Sequence, residues 1–548
     1  MTVTHEVTNQ ALPLVGHNLF AGNQAMRDAL AFNAPGLDTR ALHSLGESLG
    51  RAEMQEHARL ANVHLPQLRS HDRFGHRLDE VEFHPSYHAL MAAATAAGLH
   101  GTPWAGDSLA HLQRAAGFML FTELEPSVLC PISMTYAVTP ALRANPAVHA
   151  DWLPKLASTA YDARLLPLGQ KAGVTMGMGM TEKQGGSDVR SNTTRASFEE
   201  QTAWGPRYRL LGHKWFMSAP MCDAFLVLAQ SAAGLSCFFL PRVLPDGTRN
   251  GLLIQRLKDK LGNRANASSE VEFDGAQAWL VGEEGRGVPQ ILEMGTRTRL
   301  DCALGTSGLM RQALSLALHH TAQRQAFGRP LIEQPQMRNV LADLALESEA
   351  ATALSLRLAR SFASDDEQEL SVRRVLTPVA KYWICKRGSH FAQEAMECLG
   401  GNGYVEEGGE GVMARIYREM PVNSIWEGAG NIMALDLLRA LRKGSKEGDC
   451  VAALARELAP ARGTHAAFDR FAAALFARID EGASETEARR LAQDIALAVQ
   501  GALLGQHAPP FVFDAFCRSR LGNEWGHAFG TLPAGVDLDA LIARAMPT

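Results

Sequence analysis

The sequence predicts an α+β fold that is mainly helical: a helical N-terminal domain, a middle β domain, a helix bundle and a further helical C-terminal domain. Three observations predict it. Apolar residues recur at helical spacing early in the chain, as Leu42, Leu45, Leu49 and Ala52 at i, i+3, i+7 and i+10. Runs of β-formers punctuated by Gly and Pro then fill the stretch from Tyr208 to Phe273. Helical spacing returns after Pro289, as in Met337, Val340, Leu341 and Leu344. At 548 residues the chain is too long for one small core, so several domains are expected.

Composition narrows the class. Hydrophobic residues make up 46% and charged residues 20%, globular proportions that point to neither disorder nor a fibre. The net charge of −5 argues against binding nucleic acid through overall charge and leaves room only for a local basic patch. The eight cysteines include no CxxC pair, so neither a zinc site nor a disulfide framework is expected, and buried thiols in a reducing cytosol are. The N-terminus lacks a basic segment followed by an apolar core, and no apolar run approaches bilayer length. A cytoplasmic protein without a membrane partner follows.

In chain order, Pro13, Gly16, Gly22, Pro35 and Gly36 break any long period, so residues 1–38 read as an irregular arm that can wrap a neighbouring subunit. Helices are expected over 39–178. The β domain covers 179–288, with strands at Tyr208–Phe216, Ala224–Ala229, Leu235–Pro241, Leu252–Leu257 and Ser269–Phe273. The helix bundle covers 289–444, with an interhelix loop at Ser364–Glu367, and a last helical domain covers 445–548.

The densest chemistry lies at Met180-Thr181-Glu182-Lys183-Gln184-Gly185-Gly186-Ser187-Asp188. Gly185 and Gly186 permit close approaches that a Cβ would block, while Thr181 and Ser187 add hydroxyls, so a planar polar ligand can reach the backbone here. From these residues alone, a loop that merely turns the chain is an equal reading. Read whole, Met-Thr-Glu-x-x-Gly-Gly-Ser-Asp resembles the first signature of the acyl-CoA dehydrogenase family of FAD flavoproteins. The longer run from Gly177 to Val189 is similar to its AidB-like branch. The segments Arg77–His88 and Cys130–Thr135 share the look of that branch, the histidines of the first being expected to cap or pack.

The resemblance implies FAD as cofactor, with Thr181 on the flavin ring edge, Gly186 and Ser187 near the pyrophosphate and acyl-CoA, and Met180 beside them. Gly212-His213-Lys214-Trp215-Phe216-Met217-Ser218 resembles the family segment in which an aromatic stacks on the flavin and a hydroxyl bonds its N5. That implies Phe216, Met217 and Ser218 at the cofactor. Arg324-Gln325-Ala326-Phe327-Gly328 matches the family's Arg-x-x-Phe-Gly, implying Arg324 and Phe327 at the FAD of a neighbouring subunit. A guanidinium fork suits phosphate oxygens. Leu399-Gly400-Gly401-Asn402-Gly403-Tyr404 resembles the loop that cradles adenine from the partner chain, implying roles for Gly400 and Gly401 and a homotetramer. Two departures stand beside it: Glu397 replaces the usual Gln, and Glu406–Val412 reads as an acidic, Gly-rich insertion.

Ile425-Trp426-Glu427-Gly428-Ala429-Gly430-Asn431 resembles the family's aromatic-Glu-Gly-Thr segment, implying Glu427 as catalytic base and Trp426, Ala429 and Asn431 near the cofactor. The chemistry needs a carboxylate on one face of an acyl chain and a hydride acceptor on the other. Arg299 has the family's spacing for an arginine lining the active site. Some relatives place the base just before that helix Arg, but here the segment reads Gly295-Thr296-Arg297-Thr298-Arg299 and offers no carboxylate.

The AidB-like layout also implies binding of double-stranded DNA and protection of DNA against alkylation, with weak acyl-CoA dehydrogenase activity. From Ser445 onward ten basic residues face thirteen acidic ones, which departs from that expectation. A local signal favours it: Arg439, Arg442, Lys443 and Lys446 fall on one face if the last bundle helix runs through Gly444. The alternative is a metabolic acyl-CoA dehydrogenase without a DNA role.

Overall fold

The computed structural model describes residues 4–442, 449–522, 524 and 526–547. Along the chain come helices α1 (Gln24–Asn33), α2 (Arg40–Leu49) and α3 (Ala52–Val63), a hairpin β1 (Gln67–His71) and β2 (Arg77–Glu82), then α4 (Pro85–Ala96), α5 (Ser108–Leu124), α6 (Leu129–Leu142) and α7 (Pro146–Leu156). Seven strands follow: β3 (Met176–Gly179), β4 (Arg195–Thr202), β5 (Gly205–Ser218), β6 (Ala224–Ser231), β7 (Gly234–Pro241), β8 (Leu252–Leu257) and β9 (Ser268–Val281). The rest is helical: α8 (Gly287–Gln323), α9 (Pro335–Phe362), α10 (Glu367–Cys398), a single turn α11 (Gly401–Tyr404), α12 (Val412–Asn423), α13 (Gly430–Leu441), α14 (Cys450–Leu458), α15 (Ala466–Glu481), α16 (Ala488–His507), α17 (Pro510–Phe516) and α18 (Leu538–Ala545). These elements pack into two compact units.

The unit built from Glu56–Ala110 and Glu125–Asp301 holds the sheet, in the order β3-β6-β4-β5-β9-β7 with β8 on β9. Because β7 pairs with both β9 and β6, the sheet closes on itself and leaves few edges to protect. Phe225, Phe238, Phe239 and Phe273 are fully buried in its core. Gly177 of β3 is required by this packing, since a Cβ there would lie 2.7 Å from the Phe225 ring. Besides β3, most of which falls in the stretch expected to be helical, two elements here escaped the sequence reading. The polar run of β4 carries almost no apolar alternation and is held by its long pairing with β5, while the β1–β2 hairpin interrupts a region expected to be helical. His84 caps α4, its Nδ1 accepting from Ser86 N at 3.2 Å, and stacks on His64.

The other unit comprises the chain up to Gln55, His111–Leu124 and Cys302 onward. It corrects the reading of the arm as wholly irregular. Asn23 caps α1 by accepting from Met26 N at 3.1 Å, so Gly22-Asn23 starts a helix where the sequence suggested only a break. The loop before α10 lies where expected, with Asp366 as its cap. The C-terminal helices belong to this unit through buried ion pairs. Arg520 pairs with Asp343 and with Glu347 at 3.0 Å, and Arg544 with Glu349 at 2.8 Å and Asp28 at 2.6 Å. Arg357 meets Glu457 at 2.6 Å and Glu369 at 2.8 Å. No helix among the described residues is long and apolar enough to cross a membrane. Seven of the eight cysteines are buried free thiols and Cys130 is half-buried.

Candidate active site

In the sheet unit the motif loop leaves β3 at Met180, which is half-buried, as is Thr181. Gly186 and Ser187 are exposed, and a Cβ on Gly186 would sit 2.4 Å from Thr181 Oγ1, so the loop can fold over that hydroxyl only with glycine there. Trp215 N donates to Thr181 O at 2.8 Å, which joins this loop to the end of β5. There the register of β5 against β9 shifts between Lys214 and Met217. This bulge reverses the alternation of side chains. Lys214 points inward, Phe216 is turned out and is 51% exposed, and Met217 is wholly buried, so any contact of Met217 with a ligand is through its backbone. Ser218 Oγ lies 3.2 Å from Ser268 Oγ. Lys258 Nζ sits 3.3 Å from the centre of the Trp215 ring and 4.7 Å from that of Phe216.

Beneath this platform lies an ion pair that the sequence reading missed. Lys214 Nζ donates to Glu182 Oε1 and to Leu228 O, each at 2.8 Å, with both charged side chains fully buried. Glu182 also accepts from Thr193 N at 2.7 Å, Thr193 Oγ1 at 3.0 Å and Thr194 N at 3.2 Å. Burial alone would raise the Glu182 pKa, but the Lys214 ammonium and these donors outweigh it and hold it at about 2; burial brings Lys214 down to about 8. The available signal was parity. Lys214 shares the inward face of β5 with Tyr208 and Leu210, where a charge requires a buried partner.

Arg299 is half-buried on α8, and its neighbour Arg297 lies over the Trp104 ring at 5.2 Å and donates to Glu293 O at 2.9 Å.

In the helical unit, α8 runs into a two-residue hairpin pairing Gln325-Ala326 with Arg329-Pro330. Its turn residues Phe327 and Gly328 have φ of 52° and 80°, the signs a two-residue I′ turn demands, and the Phe327 ring is 97% exposed. Arg324 is half-buried and its Nη1 donates to Asn9 O. Gly400 and Gly401 are exposed with open space around them, Gly400 at a φ of 62°. Glu397 is exposed, and the acidic insertion is anchored by Arg418 Nη2 on Glu406 Oε1 at 2.5 Å.

The loop between α12 and α13 carries Trp426 and Glu427. Glu427 has a φ of 59° and Gly428 of 104°, so a non-glycine residue holds a left-handed conformation that costs of order 1–3 kcal/mol. Ile425 N and Trp426 N donate to Val422 O, and the buried Lys381 donates through Nζ to Gly428 O at 2.5 Å. The loop is thereby fixed on α10. Trp426 Nε1 is buried with no acceptor among the described residues, a donor that a ligand would satisfy. Ala429 and Asn431 are exposed beside it. Arg439 and Arg442 are exposed, but α13 stops at Leu441 and Arg442 is extended, because the chain leaves helical geometry one turn earlier than the cation row required. Lys443 and Lys446 lie outside the described residues.

The sheet unit carries an outward aromatic two residues before the Ser218 hydroxyl, and the helical unit by itself carries a glutamate at positive φ, features compatible with a flavin-dependent dehydrogenase. Comparison with known proteins agrees. The family domains described as adaptive response protein AidB N-terminal domain, acyl-CoA dehydrogenase middle domain and acyl-CoA dehydrogenase C-terminal domain match residues 9–163, 177–276 and 285–442. AidB of Escherichia coli (strain K12) is 49% identical over 527 residues, 95% of each chain. Acyl-CoA dehydrogenase family member 11 of Caenorhabditis elegans is 31% identical over 71% of this chain and 64% of its own. A C. elegans acyl-CoA dehydrogenase solved in complex with C11-CoA superposes with a TM-score of 0.83 at 26% identity, covering 94% of this chain and 92% of that one. The chain belongs to the acyl-CoA dehydrogenase family, in its AidB-like branch. It is an FAD-dependent oxidoreductase, and the exposed Phe216 ring, the Thr181 and Ser218 hydroxyls and the open glycine turns fit that cofactor.

Proposed function

We propose that this chain is an acyl-CoA dehydrogenase-like flavoprotein of the AidB type that removes the α and β hydrogens of an acyl-CoA with weak activity. The reading is carried by Glu427, a carboxylate in a strained loop fixed by Lys381 and next in sequence to Trp426, whose buried indole N–H has no acceptor among the described residues. Glu427 takes the α-proton, and Arg299 lines the site. Bound FAD supplies the hydride acceptor, held by Met180, Thr181, Gly186, Ser187, Phe216, the Met217 backbone and Ser218. Anaerobic addition of acyl-CoA thioesters of graded length to the purified protein tests it. At least one should bleach the flavin absorption, and a panel that leaves the bound flavin oxidised would refute the reading.

The same reading assembles the chain as a homotetramer in which Arg324, Phe327, Gly400 and Gly401 complete a neighbour's FAD site. Support comes from Phe327, whose ring stands 97% exposed at the tip of the hairpin beside Arg324, where a neighbouring chain can reach it. Phe327→Asp should shift the mass by light scattering from tetramer to smaller species and release FAD. A tetramer that keeps its FAD argues against this.

A role in protecting DNA against alkylation, with binding of double-stranded DNA, is supported by the likeness to AidB and by exposed Arg439 and Arg442. Of the C-terminal arginines, Arg520 and Arg544 are engaged in buried pairs and are not free to meet phosphates. Replacing Arg439, Arg442 and Lys443 by Ala should weaken DNA binding several-fold and reduce the log–log salt slope by about 0.9 for each phosphate no longer neutralised. Unchanged affinity and slope would place the DNA site elsewhere.

A further inference from the structure

We propose that residues 9–12 of the N-terminal arm position the part of the cofactor site that the helical unit supplies, with Asn9 setting the posture of Arg324 and the Phe327 turn. This rests on the reading of Arg324 as an FAD contact. Asn9 clasps Gln325 with both ends of its amide, Nδ2 donating to Gln325 O at 2.9 Å and Oδ1 accepting from Gln325 N at 2.8 Å. Its own carbonyl accepts from Arg324 Nη1. The residue manages all three bonds because it sits at a φ of 54°, a conformation that asparagine tolerates better than most side chains.

The neighbouring arm residues are aimed at the same place. Gln10 Oε1 accepts from Asn402 Nδ2 at 3.4 Å, inside the turn that begins at Gly400. Leu12 N donates to Gln323 Oε1 at 3.0 Å, and the Leu12 carbonyl accepts from His319 Nε2 at 2.8 Å. Hydrophobic burial does not account for this path, since Val7, Leu12 and Val15 are 62%, 72% and 45% exposed. Directed polar bonds hold the arm: those of Asn9 and Gln10 end on the two segments assigned to FAD in the helical unit, and those of Leu12 on the last turn of α8 just before Arg324. A guanidinium held in advance at one nitrogen loses less rotamer freedom when it meets a diphosphate.

The test is FAD retention by the full-length holoprotein, read as recovery of free-flavin fluorescence on dilution, for Asn9→Ala, Asn9→Gly, Arg324→Ala and Asn9→Ala with Arg324→Ala. Asn9→Ala should weaken retention by about three- to tenfold, the effect of losing one or two exposed hydrogen bonds. Asn9→Gly keeps the positive φ and the carbonyl on Arg324, so it should recover part of that loss. The double variant should retain FAD as well as Arg324→Ala alone, because Asn9 acts through Arg324. Thermal midpoints of the flavin-free proteins should match, which separates positioning from folding. If Arg324→Ala loses FAD and Asn9→Ala holds it like the parent, or if the two effects add, the arm does not position Arg324. If neither variant loses FAD, the assignment of Arg324 itself fails.

Discussion

Glu427→Gln should keep its FAD and lose flavin reduction by every acyl-CoA that reduces the parent, by about 10²–10⁴-fold, the usual contribution of a general base. The amide preserves the size of the side chain and the turn, so the left-handed backbone at Glu427 and the Lys381 bond to Gly428 O are undisturbed. What it lacks is an oxygen able to accept the α-proton. The segment Gly295–Arg299 offers no carboxylate that could substitute for it. Stopped-flow absorption with parent and variant measures the effect directly. Equal reduction rates would place the base elsewhere.

The largest effect on stability should come from Lys214→Met. Removing one partner of a buried pair leaves the other charge uncompensated, and such losses run to about 3–5 kcal/mol. Here the low end is expected, because Glu182 keeps its donors from Thr193 and Thr194. The pair Glu182→Gln with Lys214→Met should be milder than Lys214→Met alone, since no charge then remains buried. The acid limb carries a sign as well. With its pKa held at about 2 against an ordinary 4.5, the Glu182 carboxylate stabilises the fold fully above about pH 4.5. That stability is lost as pH falls toward 2, and Glu182→Gln should flatten the fall. Denaturant unfolding across that range reads both effects. A Lys214→Met protein as stable as the parent would show that the buried pair does not hold the fold together here.

The motifs were legible in sequence because each depends on residue type at fixed local spacing. Thr181, Phe216, Arg324 and Glu427 stand out through the family resemblance of motifs only a few residues long, whereas taken alone a turn or an ordinary strand accounts for Thr181 and Phe216 as well or better. The elements that escaped depend on distant partners. Strand β4 exists because β5 lies beside it, and its polar sequence has no period of its own. The bulge that turns Phe216 outward and Met217 inward is a register event between β5 and β9, invisible to alternation counted along one strand. Asn9 and Gln325 stand far apart in sequence and meet only in the folded chain. The cation row was conditional on the last bundle helix running through Gly444, and α13 ends at Leu441 with Arg442 extended, a termination that the apolar spacing of the helix does not encode.

One measurement bears most directly on the claim that this flavoprotein oxidises an acyl thioester at its α and β carbons. The holoprotein is mixed anaerobically with an acyl-CoA that bleaches its flavin, quenched after one turnover, and the thioester is weighed by mass spectrometry. The account predicts an enoyl-CoA lacking two hydrogens, formed in proportion to the flavin bleached and absent with Glu427→Gln. A thioester recovered with both hydrogens in place beside bleached flavin would contradict it.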